Sequence, residues 1–451
     1  MKTVITYGTF DLFHTGHLNL LKRARELGER LIVGVTSDAY DRARGKLNVV
    51  QSCAERIENV RRTGLADLII IEEEEGQKVR DINTFNADIF AIGSDWIGTF
   101  DYLSEHCKVV YLERTRGSAT AQPVQTPFPM LRIGIIGHGR IAERFLRESK
   151  YVSGIETTAV YGRSKARAMA FAQQYEIERA HDDFEEFIQS VDAVYVAVPH
   201  HLHVEFTKKA LQHKKHVLCE KPMALSATEA EELFGMAKEH DCVLLEAIKT
   251  AYAPAFTQIM DVIRSGQIGD VCSIDANFTK LIKNKSLREY DADQAGGAMT
   301  ELGSYALFVI AKLLGTEPTE TSFTTITDSD KKVDVFTRMS LIYSKAIATA
   351  SVGIGIKKEG DMCIAGTKGY IYVPAPWWKT EHFEIRGESP ERNKSCISHF
   401  AGDGLRYELS TFLNMIRSHE RSCTFLTQQE SSFIARNMEQ FRKGINVTYL
   451  Q

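Results

Sequence analysis

His14 and His17 stand three residues apart around Gly16 in the stretch GTFDLFHTGH (Gly8–His17), directly after an apolar segment. At a helix start both imidazoles project to one side, and the glycine lets a phosphate approach closely. As cations or as hydrogen-bond donors they could stabilise the charge that develops when a nucleotide's α-phosphate is attacked and pyrophosphate leaves. A second set lies far downstream: Lys221 in LCEKPMALS (Leu218–Ser226), with Glu301 and Tyr305 in GGAMTELGSY (Gly296–Tyr305). Reducing a ketone needs a hydride donor and a proton donor aimed at the carbonyl oxygen. Tyr305 is assigned the proton, and Lys221 the tasks of polarising the carbonyl and lowering the tyrosine's pKa. Between the two sets, Gly137-His138-Gly139-Arg140-Ile141-Ala142 forms a GxGxxA turn suited to a dinucleotide's pyrophosphate. Blander readings stand beside these. The histidine pair could only cap a helix, and Tyr305 could be a buried aromatic of the apolar helix Ala306–Leu314.

These groups need elements to hold them. Lys2–Tyr7 reads as a buried strand and Leu18–Leu27 carries leucines at helical spacing, so the histidines sit on a strand-to-helix turn. Arg132–Ile136 is a strand ahead of the glycine turn, and Glu156–Tyr161 is the next strand after the following helix. That second strand runs into Arg163, Ser164 and Lys165 where a carboxylate would hold ribose hydroxyls, which favours a 2′-phosphate; a surface basic turn is the alternative. The strand Ala193–Val198 leads to Pro199 with His200, His201 and His203. Three histidines suggest zinc, but no acidic fourth ligand lies nearby. Another strand, Lys215–Leu218, leads to Lys221. After Leu245, β-rich runs at Val271–Thr279, Thr321–Ile326, Phe336–Tyr343, Ala346–Ile354, Met362–Ala365 and Tyr370–Val373 predict a mostly antiparallel sheet. Trp377-Trp378 is sheet packing by default, with a dimer patch as the alternative. The run Glu72–Glu75 reads as a solvated face or strand exit.

The seam Gly117–Met130 carries Pro123, Pro127 and Pro129, which block a helix across it and mark a linker. The expected division is 1–122, a linker at 123–130, a Rossmann domain at 131–248 and an α+β domain at 249–451. The fold class is α/β: a nucleotidyltransferase Rossmann-like domain, then a dinucleotide-binding Rossmann domain with a mostly antiparallel α+β domain. With 43% hydrophobic and 25% charged residues and a net charge of -4, the composition argues against a nucleic-acid partner. The eight cysteines are scattered without zinc spacing, and no apolar run is read as a membrane span, so a cytoplasmic protein with reduced thiols is expected.

The first part resembles the glycerol-3-phosphate cytidylyltransferase family. GTFDLFHTGH matches its HxGH signature, GSDWIGTFDYL (Gly93–Leu103) its GxDWxGxFD block, and ERTRGSAT (Glu113–Thr120) its RTxGxST block. The resemblance implies that His14 and His17 flank the triphosphate, with Thr9, Phe10 and Asp11 at its turn. Lys46, counted with the catalytic residues, and Arg44 meet phosphates; Arg56, Asp95 and Trp96 surround the nucleotide; Arg114, Thr115 and Thr120 close over it. Magnesium accompanies the CTP, without protein ligands. Ala119 replaces the family's hydroxyl residue. From Leu131 the chain resembles the glucose–fructose oxidoreductase and inositol dehydrogenase family through Glu220-Lys221-Pro222 and the Gly296–Tyr305 block. Glu301 stands for the family's usual aspartate and Tyr305 for its usual histidine. This resemblance implies that Gly137, His138, Gly139, Arg140, Ile141, Arg163, Ser164, Lys165, Pro199, His200, His203, Glu220, Lys221 and Pro222 hold NADPH. It also implies a cis Lys221-Pro222 bond, a pocket lined by His203 and Lys249, and a homo-oligomer, dimer or tetramer.

The reading that joins these parts is a bifunctional enzyme making a CDP-activated sugar alcohol from small molecules. Two others remain at this point: a reductase with a degenerate regulatory nucleotide domain, and a transferase with an NADPH-sensing module.

Overall fold

Strand β1 (Thr3–Gly8) is buried along nearly its whole length, and its neighbours in sequence serve opposite faces: Val4 joins one apolar cluster, while Ile5 and Tyr7 join the other. A strand covered on both faces belongs to a parallel sheet flanked by helices. The computed structural model describes residues 1–113 and 130–450; Arg114, Thr115, Thr120 and the linker expected at 123–130, apart from Met130, lie outside them. The chain divides into two compact units, Met1–Ile133 with Phe145–Ser190, and Gly134–Arg144 with Val191–Gln451.

In the first unit β1 pairs in parallel with β2 (Arg30–Thr36), which pairs with β3 (Leu68–Glu72). On its other side β1 pairs with β4 (Ile89–Gly93), followed by β5 (Lys108–Leu112), so the order is β3-β2-β1-β4-β5. The chain builds outward on one side of β1 and then returns to build on the other. Ligands bind at such a reversal, outside the C-terminal ends of the two strands. The acidic run is the exit of β3, as read, with Glu73–Glu75 exposed; Glu72 alone departs from a solvated face, being 1% exposed and ion-paired with Lys78.

Strands β6 (Leu131–Ile136), β7 (Ile155–Tyr161), β8 (Arg179–His181), β9 (Ala193–Val196), β10 (His216–Glu220) and β11 (Leu244–Ala247) form the second sheet, ordered β11-β10-β9-β6-β7-β8. The pairs β9–β10, β10–β11 and β7–β8 are parallel.

The third sheet has nine strands: β12 (Val271–Thr279), β13 (Glu320–Thr327), β14 (Asp334–Ile342), β15 (Ile347–Gly353), β16 (Met362–Gly366), β17 (Tyr370–Val373), β18 (His382–Arg386), β19 (Lys394–Ile397) and β20 (Val447–Leu450), ordered β19-β18-β17-β16-β12-β15-β14-β13-β20. Only β12–β15 and β13–β20 pair in parallel. All six expected runs are strands. β18, β19 and β20 went unread; β19 and β20 lie at the two edges and are mostly exposed, so they lack the apolar face that marks a strand in sequence. The helix Ala298–Leu314 packs on β12, β14 and β15 and against the helix Gln428–Arg442. It starts eight residues before the apolar run that signalled it. Ala292–Leu314 is long and apolar enough to cross a membrane, contrary to the reading of the runs, but most of it is buried inside this unit. Trp377 is fully buried and donates to the Asn277 carbonyl at 2.9 Å, and Trp378 stacks on Phe278 with centroids 3.5 Å apart, so the tryptophan pair packs the sheet.

The Glu72–Lys78 pair gives a test of the first unit. Lys78 is 7% exposed and also lies 4.8 Å over the Tyr7 ring. Removing one member of a buried pair strands the other charge, at a cost of about 3–5 kcal/mol. Glu72→Ala should therefore lower the stability of this unit by about 3 kcal/mol in chemical denaturation; a loss below about 1 kcal/mol would mean that the Lys78 ammonium reaches water once its partner is gone.

Candidate functional sites

The turn after β1 leads into the helix Thr15–Glu26, whose N-cap is His14. Its Nδ1 accepts a hydrogen bond from the Gly16 amide at 3.0 Å, so in the neutral ring the proton sits on Nε2. A Cβ on Gly16 would lie 2.8 Å from the His14 ring, so glycine is what allows this cap. The capping reading thus holds for His14. The His17 ring lies 3.9 Å from the His14 ring and 5.4 Å from that of Phe10. Burial first, then His14 and Lys46, hold the His17 pKa well below the usual imidazole value. That direction favours the neutral ring over the imidazolium. Its Nδ1 is closed off from solvent and has no hydrogen-bond partner among the described residues.

Several expected nucleotide contacts turn out to build the loop. The Asp11 carboxylate accepts from the Val50 and Gln51 amides at 3.0 and 2.9 Å. The Thr9 hydroxyl donates to Asp41 and accepts from Arg44, which itself pairs with Asp41 at 2.6 Å. Arg56 is fully buried, donates to the Thr9 and Thr36 carbonyls at 2.7 and 2.9 Å, and pairs with Asp38 and Asp41. The Phe10 side chain is 1% exposed in the core. Phe10 and Asp11 thus lie at the turn with their side chains engaged by the protein itself, as is the side chain of Arg56: a turn rich in unpaired backbone groups claims the polar side chains nearest to it. Lys46, Asp95 and Trp96 gather elsewhere around the ends of β1 and β4. The Lys46 ammonium donates to the Lys150 carbonyl, the Asp95 carbonyl accepts from the Lys150 ammonium, and Trp96 meets Tyr151 edge-on at 5.8 Å.

In the second unit Gly137 has φ +106°, and a Cβ there would meet the Ala197 carbonyl oxygen at 2.5 Å. Gly139 has open space where a Cβ would stand, at the start of the helix Arg140–Ser149. Ala142, in the third position of the fingerprint, is fully buried. A tight turn, an open approach to helix amides and close helix packing fit the pyrophosphate of a dinucleotide. His138 and Ile141 flank this turn half-buried, and Arg140 is engaged by the buried Glu289. Within the first unit, Arg163 is exposed beyond β7, Ser164 is the N-cap of the helix Lys165–Gln174, and Lys165 lies 3.5 Å from Asp182.

Past β10 the Lys221-Pro222 bond is cis. The Lys221 ammonium donates to the Glu301 carbonyl at 2.8 Å and lies 5.8 Å over the Tyr305 ring, so three residues from two distant stretches do converge. The Glu301 carboxylate is clamped by Arg288 at 3.0 Å and faces His200 at 3.6 Å. Tyr305 is 9% exposed, and burial, followed by Glu220 and Glu408, pushes its hydroxyl pKa upward. The expectation that Lys221 lowers this pKa is corrected: the ammonium meets the ring face, and desolvation of the phenolate dominates. Tyr305 stays protonated, as a proton donor must. Glu220 accepts from the Tyr195 hydroxyl at 2.5 Å and the Lys221 amide at 3.3 Å, which orients the strand end. His203 is likewise a brace, its ring nitrogens each 2.8 Å from the Val198 and Pro222 carbonyls; burial lowers its pKa to about 4 against the pull of those carbonyls. Pro199 opens the short turn that carries His200, whose Nδ1 faces the Ala295 carbonyl at 3.2 Å. Arg288 and Asp403 were not anticipated, since both lie in polar loops without period or motif.

The Lys249 ammonium donates to the Asp403 carbonyl at 2.8 Å, beside Lys379, which pairs with the Asp403 carboxylate at 2.7 Å. Burial, and next the charge of Lys379, bring the Lys249 pKa down to about 8. The group is charged below that pH and neutral above it. The unfolded chain then binds the extra proton between about pH 8 and about 10.4, so stability rises with pH across that window. Competitive acetylation across pH should show half-maximal labelling of Lys249 near pH 8; a midpoint above about 10 would mean that the ammonium is solvated like an ordinary lysine.

Known proteins match in the same order as these sites. A cytidylyltransferase-like family model matches residues 5–163, the NAD-binding Rossmann-fold model of an oxidoreductase family matches 131–248, and the GFO/IDH/MocA C-terminal domain model matches 256–372. Trans-1,2-dihydrobenzene-1,2-diol dehydrogenase of Sus scrofa is 28% identical over 331 residues, 71% of this chain and 98% of the relative. The scyllo-inositol 2-dehydrogenase (NADP(+)) IolU of Bacillus subtilis (strain 168) is 28% identical over 337 residues, with the same shares. Among solved structures, KijD10, a 3-ketoreductase from Actinomadura kijaniata in complex with NADP and TDP-benzene, has a TM-score of 0.64 and 25% identity, covering 72% of this chain and 100% of that one. The chain thus joins a cytidylyltransferase-like part to an NAD(P)-dependent oxidoreductase part of the GFO/IDH/MocA family.

Proposed function

We propose that this protein makes a CDP-activated sugar alcohol, transferring CMP from CTP to a sugar phosphate and reducing the sugar's carbonyl. The observation that carries the reading is the joining of the two parts in one chain, because cytidylyl transfer and carbonyl reduction have a CDP-linked alditol as their common product. The similarity of the second part to a ketoreductase bound to a nucleotide-linked ligand supports a nucleotide-linked substrate.

In the transfer step a phosphate oxygen of the acceptor bonds to the α-phosphorus of CTP, and the bond to pyrophosphate breaks. His14 through Nε2 and neutral His17 donate hydrogen bonds to the developing charge, Lys46 adds a cation, and magnesium accompanies the triphosphate. In the reduction NADPH supplies the hydride. Tyr305, held protonated by burial, gives its proton to the carbonyl oxygen, and Lys221 holds a positive charge beside it. The exposed Arg163, with Ser164 and Lys165, supports NADPH over NADH.

A phosphate on a terminal carbon and a free carbonyl elsewhere describe a ketose phosphate. Fructose 6-phosphate meets both conditions, and its C2 becomes reducible in the open form. The order is transfer first, then reduction to CDP-glucitol or CDP-mannitol, for surface polysaccharide synthesis in the cytoplasm. Reduction first, as from ribulose 5-phosphate to CDP-ribitol, is the alternative.

Mixing enzyme, fructose 6-phosphate and NADPH without CTP should give almost no NADPH oxidation, and adding CTP should start it. Rapid oxidation before CTP is added would reverse the order and make an alditol phosphate the acceptor. His17→Ala should slow pyrophosphate release by about 100-fold, the scale for losing one preorganised donor, while NADPH oxidation with a supplied CDP-linked ketose is unchanged. A joint fall of both activities would rule out separate sites.

A further inference from the structure

The segment Lys150–Ser153 joins the helix Arg140–Ser149 to β7 where the cytidylyltransferase-like and oxidoreductase models overlap, and it belongs to the same compact unit as β1–β5. Its backbone is tied beside Lys46: the Leu47 amide donates to the Tyr151 carbonyl at 2.6 Å, and the Ser153 amide donates to the Leu47 carbonyl at 2.9 Å, forming a parallel bridge between Leu47 and Val152. Val152 is 3% exposed. The side chains continue the contact. The Lys150 carbonyl accepts from the Lys46 ammonium, the Lys150 ammonium donates to the Asp95 carbonyl and lies 5.6 Å over the Trp96 ring, and Tyr151 meets Trp96 edge-on. Three residues expected around the nucleotide therefore meet one four-residue segment, and Lys46 is also close enough to influence His17 electrostatically.

The chemistry of the crevice calls for such a segment. A nucleoside triphosphate and an acceptor phosphate together bring several negative charges. Arg44 is paired with Asp41, and Arg56 is buried against Asp38 and Asp41, so both guanidiniums are already neutralised within the fold. The Lys46 and Lys150 ammoniums donate to the Lys150 and Asp95 carbonyls, and an anionic phosphate oxygen attracts an ammonium more strongly than a carbonyl dipole does.

We propose that Lys150–Ser153 is a wall of the phosphate site at the ends of β1 and β4, with the Lys150 ammonium as a phosphate-binding cation and the Lys150 carbonyl as the group that positions Lys46. The inference rests on the transferase reading above. The stretch that the two family matches share thereby supplies residues to the transferase, and the transferase site is incomplete without it.

The test uses the full chain with Lys150→Ala and Lys150→Arg. Three quantities are read: CTP affinity by calorimetry with magnesium, KM for the acceptor phosphate in pyrophosphate release, and NADPH oxidation with a supplied CDP-linked ketose. Lys150→Ala should weaken one of the first two by about 10-fold or more, the scale of a lost charged hydrogen bond. Weaker CTP binding would place the ammonium at the triphosphate, and a raised acceptor KM alone would place it at the acceptor. Lys150→Arg should restore the affected constant, and NADPH oxidation should not change in either variant. Unchanged CTP affinity and acceptor KM in Lys150→Ala would overturn the proposal, as would an arginine variant as impaired as the alanine one. A wild-type protein that binds CTP but releases no pyrophosphate would remove the transferase reading, whereas weaker CTP binding by Lys150→Ala would still uphold the phosphate site. Absence of CTP binding in the wild type would overturn both.

Discussion

Strands that run parallel all end on one edge of their sheet, and each hands the chain to a helix whose first amides have no partner within that helix. This constraint places the candidate chemistry of the chain. The histidine turn follows β1, Asp95 and Trp96 follow β4, the glycine turn follows β6, Pro199 and His200 follow β9, and Lys221 follows β10. The loops differ in sequence, and two of them, the histidine turn and the glycine turn, open directly into a helix with free backbone donors and a positive dipole end. The proposed phosphate chemistry of the first sheet and dinucleotide chemistry of the second would thus be two uses of the same backbone geometry.

Burial then decides which protonation state each site keeps. His17 is neutral because an imidazolium would lose its hydration beside His14 and Lys46. Tyr305 stays protonated because a phenolate would be stranded near Glu220 and Glu408. The buried ionisable groups paired across the fold have partners from outside their own motif: Glu301 has Arg288, Arg56 has Asp38 and Asp41, and Glu72 has Lys78. Such pairs contribute less net stability than their Coulomb attraction suggests, but separating them is costly, so they hold the site side chains in one arrangement.

Much of the chain's organisation was legible before any coordinates. The strand-turn-helix order, the glycine fingerprint and the antiparallel runs all arise from patterns within a few residues of one another, because burial of a strand face or a helix stripe imposes a period on the sequence. The convergence of Lys221, Glu301 and Tyr305 was also anticipated, from the motifs that carry them. Edge strands such as Lys394–Ile397 were not readable, since little of their surface is buried.

What the sequence determined by itself was the set of local turns and the types of residue placed on them. What only the tertiary structure decided was which partner each polar side chain takes. Arg56 and Asp11 look like ligand residues in the sequence and are bound to backbone groups of other loops and strand ends; Lys150 looks like an unremarkable surface lysine and reaches Asp95 and Trp96. Arg288 finds Glu301 across a loop with no pattern. A hydrogen bond or an ion pair forms over a few ångströms of space, and topology, which brings residues a hundred positions apart to that distance, leaves no periodic trace in the sequence.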